Sequence, residues 1–454
     1  MITYSIIKKS ELEGAFRMDA EYYQPEYLRI SNLIKNENQF VHLKQLKIKC
    51  DASAFYPALE PYYGQGDVPF IRVADVDDGI DYDNILTIPN EILNKYITLN
   101  LAKKGDIVIT KGGSIARVGL VSKDSALTRD LIFFNTSKLD ENDYIFYYVY
   151  CLTDFYKRQL IRSSSMTAQP HLTIISVRDI PLFNPSKDIK SKITEIFKES
   201  SELLEKSKSF YSEAENLLLE ELGMGDYQHD SELFDIVNFL EIKSAERMDA
   251  EYFQPKYAKL EKKIKEHNAQ RLGDLVTVKK GFEPGAEAYL EEGKLFIRVS
   301  SLTKLGIIDK DQKYLSESLY KELKKDYEPK VGEILLTKDA SPGTAYVVKE
   351  PVEGIISGGI VRLKLKEQNI EPEYLALCIS SIVGQAQAQR DAGGSVIMHW
   401  KPEQIKNLLV PILPRNVQKK ISELVIQSHE SRKKAKELLE EAKHKVEELI
   451  EKGV

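Results

Sequence analysis

Residues 17–27 read RMDAEYYQPEY and residues 247–257 read RMDAEYFQPKY, so nine of eleven positions are identical. Outward from this pair the correspondence continues in order. Phe70-Ile71-Arg72-Val73 returns as Phe296-Ile297-Arg298-Val299. Residues 105–111 (GDIVITK) return as 332–338 (GEILLTK), and Ile180-Pro181 returns as Val410-Pro411. Every offset lies between 226 and 230 residues. The chain is a tandem duplication of one unit of about 230 residues, far longer than the roughly 20–50 residues of a solenoid repeat. Duplication sets architecture and specifies no activity.

Within each copy the box precedes a proline and a helical pattern at residues 27–35 and 257–265. Short β-branched runs at 68–73, 106–110, 295–299 and 333–337 read as strands punctuated by Gly and Asp. Residues 144–152 and 374–379 read as short buried helices. Each copy is therefore expected to be a mixed α/β lobe.

A long amphipathic helix closes each copy. Ile189, Ile193, Ile196, Ser200, Leu203, Ser207, Phe210, Ala214 and Leu217 follow a 4-3 spacing, as do Val417, Ile421, Leu424, Ser428, Ser431, Ala435, Leu438 and Ala442. Such a stripe is a coiled-coil seam, and its Ser and Ala members let two axes approach closely. Gly223 and Gly225 are expected to end the first helix and Gly453 the second. At 1.5 Å per residue each helix exceeds about 40 Å and needs another helix to cover its stripe. The matched seam in the same chain is the favoured partner, in antiparallel pairing if the copies are related by a pseudo-two-fold axis; pairing between chains stays open. The expected fold is α+β: two pseudo-two-fold related mixed α/β domains separated by two long helices in an antiparallel coiled coil. The expected boundaries are 1–185, 186–223, 224–414 and 415–454.

The 454 residues carry 64 basic and 70 acidic side chains, a net charge of -6, which argues against indiscriminate nucleic-acid binding. Mean hydropathy is -0.34 and no run approaches the roughly 20 apolar residues of a membrane span. Neither a secretory signal nor a disulfide framework is expected, so Cys50, Cys151 and Cys378 read as thiols in a reducing cytoplasm. No G-x-x-x-x-G-K-[ST] loop, strand-borne G-x-G-x-x-G or zinc spacing occurs, and the seven histidines are scattered. Asn184-Pro185-Ser186 is not an adenine-methyltransferase loop, and Glu241-Ile242-Lys243 reads as a solvated helix edge rather than a nuclease motif. Cys151 and Cys378 occupy matching apolar segments and read as small buried hydrophobes. Trp400 reads as packing within its own lobe.

The positive signal lies in basic, hydroxyl- and Gly-rich loops, whose groups suit phosphates and base edges. In the first copy these hold Lys111, Gly112, Gly113, Ser114 and Arg117, then Arg162, Ser164, Gln169 and His171. In the second they hold Lys279, Lys280, Lys338, Ser341, Arg390, Ser395, His399 and Lys401. One basic loop is usually solvated surface; comparable loops at matching places in two lobes point to DNA. The loops differ where the framework agrees, residues 111–117 (KGGSIAR) standing against 338–344 (KDASPGT), so two lobes would read different sequences.

The ordered set resembles the DNA-specificity subunit of type I restriction-modification enzymes. It consists of the paired boxes, Leu272-Gly273-Asp274-Leu275 leading to Lys280-Gly281, the Phe-Ile-Arg-Val strands, the strands ending in Lys111 and Lys338, and the closing helices. Residues 43–49 and 57–66 match the Leu-Gly-Asp approach poorly. The resemblance implies two target-recognition domains reading a bipartite site on double-stranded DNA, and no catalysis by this chain. It implies two methyltransferase (modification) subunits and restriction subunits as partners, with no membrane. It implies no cofactor on this chain, with S-adenosylmethionine, ATP and Mg in the partners. A fused methyltransferase-nuclease is disfavoured because the repeats consume the chain; a coiled-coil scaffold binding only proteins would suit the acidic balance.

Overall fold

The computed structural model describes residues 4–12, 17–36, 39–54, 58–164, 170–225, 235–308, 312–367, 369–392 and 398–452. The chain divides into two units, Met1–Glu202 with Lys434–Val454, and Leu203–Lys433. Neither boundary falls at the end of a copy. Each runs through a long helix.

In the first unit, strands Lys49–Ala52, Leu131–Asn135, Ile107–Thr110 and Val118–Leu120 pair antiparallel in that order. Ile107–Thr110 is buried along its whole length. The reason is that alternate side chains of a strand enter different cores. Ile107 and Ile109 pack with Ile132, Phe134 and the aromatic face of helix Glu141–Leu152. Val108 and Phe133 instead pack with Ile71, Val76 and Leu127. A sheet covered on both faces reads as a continuous apolar run, which is what this segment is. The second sheet orders Thr87–Ile88, Val68–Ile71, Ser125–Leu127 and Leu101–Ala102, with Phe70 opposite Ala126 in a parallel pair.

The second unit repeats this plan. Strands Val276–Lys280, Ile360–Leu365, Ile334–Thr337 and Ala345–Val347 form its antiparallel sheet. Lys313–Leu315, Lys294–Ile297 and Gly354–Ile356 form the other, with Phe296 parallel to Ile355. Ile334 and Leu336 face helix Pro372–Ser380 while Leu335 faces Ile297 and Ile356. The Phe-Ile of the recurring Phe-Ile-Arg-Val thus ends a central strand of the mixed sheet in both units, earlier than expected, because Arg72 and Arg298 cap 3-10 turns that begin at Val73 and Val299. Burying a Phe such as Phe296, 2% exposed, is worth about 2–3 kcal/mol.

The helices Lys187–Glu221 and Arg415–Lys452 pack against each other within each unit. In the first unit Ser200 Oγ donates to the Ala435 carbonyl at 2.7 Å. In the second Ser428 Oγ donates to the Ser207 carbonyl at 2.7 Å, and the two hydroxyls lie 3.2 Å apart. Seven residues forward on one helix match seven backward on the other, which is antiparallel heptad register. A serine hydroxyl reaching the facing helix's backbone requires axes closer than large side chains permit. Every seventh position is buried: Ile193, Ser200, Ser207 and Ala214 on one helix, and Ile421, Ser428, Ala435 and Ala442 on the other. The intervening seam residues Ile196, Leu203, Phe210, Leu217, Leu424 and Leu438 are only half-buried. The stripe is also broader than a two-helix seam, because Tyr211, Leu218 and Val425 turn into the second unit's core and Val446 and Ile450 into the first's.

The first helix ends as its sequence requires. Gly223 adopts φ 63° while its N–H donates to Glu220 and the Met224 N–H to Leu219, the Schellman pattern that favours glycine. Gly453 lies outside the described residues. Among the described residues, no helix is long and apolar enough to cross a membrane.

Candidate nucleic-acid interface

At one end of each antiparallel sheet a threonine organises a loop. Thr110 closes its strand, and its Oγ1 donates to the Ser114 carbonyl at 2.6 Å while accepting from the Arg117 N–H at 3.0 Å. Thr337 does the same, donating to the Ser341 carbonyl at 2.6 Å and accepting from the Thr344 N–H at 3.0 Å. The lysine after each threonine is gripped through its backbone. Lys111 N–H donates to Asp130 and its carbonyl accepts from Leu172, at 3.0 and 2.8 Å. Lys338 N–H donates to Gly359 and its carbonyl accepts from Trp400, at 2.9 and 2.8 Å. This second bond brings His171 and His399, each one residue earlier, alongside the loop. The two lobes share one frame.

The side chains on that frame differ. Gly112 lies beneath His171, so close that a Cβ there would sit 3.4 Å from Nδ1. At the equivalent position Asp339 bonds His399 Nδ1 at 2.8 Å and Lys338 Nζ at 2.5 Å. The first lobe thus has only backbone at the position under its histidine, and the second a carboxylate held between a lysine and a histidine. Gly113, Ser114, Ser341 and His399 are exposed, and Lys111 and Arg117 are half-buried. Burial, with Arg129 assisting and Asp130 opposing, pulls the Lys111 ammonium below its usual range. Arg117 lies 3.7 Å from Asp77. Lys279 and Lys280 are exposed at the end of Val276–Lys280, where Lys280 opposes Val361 and Val361 in turn opposes Leu336. They therefore sit at the same sheet end as Lys338. Exposed Lys401 follows Trp400 and caps helix Pro402–Asn407.

Three expected site residues turn inward instead. Arg162 is buried, donating to the Tyr22 carbonyl at 2.9 Å and to Ser31 Oγ at 2.5 Å, with its guanidinium 4.1 Å from the Tyr22 ring. Ser164 is buried and donates to the Ile161 carbonyl. Arg390 bonds Glu261 at 2.9 Å and Asp391 at 3.3 Å and faces the Tyr252 ring. The two arginines join the repeated box to a helix of their own lobe through Tyr22 and Tyr252, and a guanidinium so engaged is not offered to a phosphate. Gln169 and Ser395 lie outside the described residues.

Reading the sequence alone missed Arg129 and Asp130. They flank Lys111 from the start of Leu131–Asn135, where the second copy has Gly358 and Gly359. The signal was available: a charged pair against a glycine pair at matching places. Trp400 is 1% exposed and belongs to the second unit's core. Burial pushes the Cys50 and Cys378 thiols up to about 12 and raises Cys151 further, as expected of inert hydrophobes. Glu241 caps helix Phe239–Ala245 by accepting from Asn238 N–H at 3.0 Å, and Lys243 is exposed, a solvated helix edge. Among the described residues, no group of three or more His, Cys, Asp or Glu could hold a metal ion.

Residues 36–209 and 264–441 each match the type I restriction modification DNA specificity domain. The chain belongs to this family. The two specificity domains follow the duplication, each spanning one lobe's sheets and running into its long helix. The chain is similar to the type I restriction enzyme MjaIX specificity subunit of Methanocaldococcus jannaschii, 26% identical over 148 residues. That match takes in 32% of this chain and about a third of the relative, 33%. Among solved structures it is similar to the type I restriction-modification system S subunit from M. genitalium, at 15% identity and TM-score 0.39 over 89% of this chain and 92% of that one. It is also similar to the HsdS subunit from Thermoanaerobacter tengcongensis, at 14% identity and TM-score 0.29 over 91% and 97%.

Proposed function

We propose that this chain is the non-catalytic DNA-specificity subunit of a type I restriction-modification assembly. Each lobe reads one part of an asymmetric, two-part target on double-stranded DNA. The observation carrying this reading is one shared frame dressed with unlike side chains, Gly112 beneath His171 in one lobe and Asp339 against His399 in the other. The contact set is Lys111, Gly112, Gly113, Ser114, Arg117 and His171 in the first lobe, and Lys279, Lys280, Lys338, Ser341, His399 and Lys401 in the second. Lysines and exposed amides position the backbone, while Arg117 and the histidines address base edges. The paired helices act as a spacer that sets the unread gap, as dimer geometry sets half-site spacing elsewhere.

On this reading two modification subunits and the restriction subunits assemble on the chain, and S-adenosylmethionine, ATP and Mg belong to them. The protein works in the cytoplasm, where its cysteines stay reduced. The test is selection from a random duplex pool with the modification subunits present. A split, asymmetric motif is expected; recovery of no motif, or of a palindrome, overturns the reading.

A further inference from the structure

In the second lobe the exposed histidine of the contact set is backed by groups that are themselves held. Asp339 and His399 face each other in a short antiparallel bridge. On either side of them the Ala340 N–H donates to the Met398 carbonyl at 3.0 Å and the Trp400 N–H to the Lys338 carbonyl at 2.8 Å. Trp400 is buried in the core, so the chain is anchored immediately after the imidazole. The two oxygens of Asp339 have separate tasks. Oδ2 accepts from Lys338 Nζ at 2.5 Å, and Oδ1 lies 2.8 Å from His399 Nδ1. The Lys338 and Asp339 side chains are largely covered, whereas that of His399 is 62% exposed. His399 Nε2 has no hydrogen-bond partner among the described residues.

Chemistry then decides which ring nitrogen does what. A carboxylate beside an ammonium is ionised and can only accept, so the hydrogen of a neutral imidazole must sit on Nδ1. Nε2 is left as an acceptor, and it is the nitrogen turned to no protein group. Among the groups that bases show in the major groove, adenine N6 and cytosine N4 donate. Guanine O6, thymine O4 and the purine N7 accept, and two acceptors with no hydrogen between them repel. In the first lobe the position of Asp339 is Gly112, which has no side chain to do the same for His171.

We propose that His399 accepts a hydrogen bond through Nε2 from an adenine or cytosine amino group in the major groove. Asp339 is the positioning residue that fixes the tautomer. The proposal deepens the DNA reading above and rests on it.

The experiment uses the full chain with its modification subunits. Duplex selection with wild type and His399→Ala first locates the base pair in the second half of the target whose identity His399 controls. His399 is exposed and Asp339→Asn nearly preserves shape, and thermal melts check that both variants fold. Duplexes are then made in which that pair's major-groove amino group is replaced by hydrogen, with purine for adenine or 2-pyrimidinone for cytosine. Wild type is expected to lose affinity about tenfold on this deletion. His399→Ala should bind both duplexes alike. The amide of Asp339→Asn can accept from Nδ1 or donate to it, so its penalty should shrink to about threefold or less, even where its overall affinity rises. The absence of a wild-type penalty, or a penalty only when guanine loses its minor-groove N2 amino group, overturns the proposal. So does unchanged second-half discrimination in folded His399→Ala, or equal loss in both halves. An undiminished penalty in folded Asp339→Asn overturns the role of Asp339. A wild-type complex that selects no split motif overturns the DNA reading itself, which separates the two failures.

Discussion

Thr110 and Thr337 each serve two backbone groups with one hydroxyl. Replacing either by Val removes the donor for one carbonyl and the acceptor for one N–H. A cost of about 1–3 kcal/mol is expected, confined to the lobe that carries the change and read by denaturant unfolding. Arg117→Gln tests the first lobe's contact set. It should cost about 1–3 kcal/mol of discrimination in one half of the target if Arg117 meets a base, and weaken all duplexes alike if it meets a phosphate. Asp339→Asn releases Lys338 and His399 from a carboxylate. Titrating duplex affinity against salt should then give stronger binding and a slope steeper by about one unit. At this scale the sequence was legible in part. Lys111 and Lys338 stood out because they follow strands that recur. Arg162 and Arg390 did not, because a basic residue meeting solvent and one closing on Tyr22 or Tyr252 look alike in composition, and their partners lie over a hundred residues earlier.

The long helices were the most legible elements, since a 4-3 pattern sustained for more than twenty-five residues admits little else. The pattern could not say that each helix answers to two neighbours. Tyr211, Leu218, Val425, Val446 and Ile450 fall beside the seam because they fill lobe cores while the seam serves the other helix. The small heptad residues set the closeness of the pair. Ser207→Leu or Ser428→Leu should destabilise by about 1–3 kcal/mol or more through overpacking. Ser428→Ala should cost about 1 kcal/mol or less, since the Ser207 carbonyl it bonds lies within a helix. Thermal melts of the variants distinguish the two magnitudes. The four strands read from the sequence were placed to within a residue or two, while their neighbours such as Leu131–Asn135 and Ile360–Leu365 were not read; which face met which core was not legible, because a run buried on both sides carries no alternation to read.

For the molecule as a whole, the second unit should be sensitive to acid. Burial, with Lys349 and Arg432 adding to it against the Lys304 carbonyl and Glu373, holds the His429 imidazole down to about 4, below its unperturbed 6.5. The folded state therefore binds fewer protons than the unfolded one between these values. Stability contributed by neutral His429 is fully present above about pH 6.5 and is lost as pH falls toward 4, on the order of 3 kcal/mol in all. His429→Gln should flatten that part of the stability profile measured by urea unfolding from pH 7 to 4. Duplication and the two lobes were legible at this scale from the box alone. The division of the units was not, because it depends on which helix halves share a core.

That division has a consequence for synthesis. Ala442, Val446 and Ile450 complete a core whose other members precede residue 200. They leave the ribosome only after the whole of Leu203–Lys433 has been made. At about 5–20 residues per second the amino-terminal lobe waits on the order of ten to fifty seconds for its last pieces. Through that interval the newborn chain carries an uncovered greasy strip at Ile193 and its neighbours, a natural handle for a chaperone and a hazard for its neighbours on the same message.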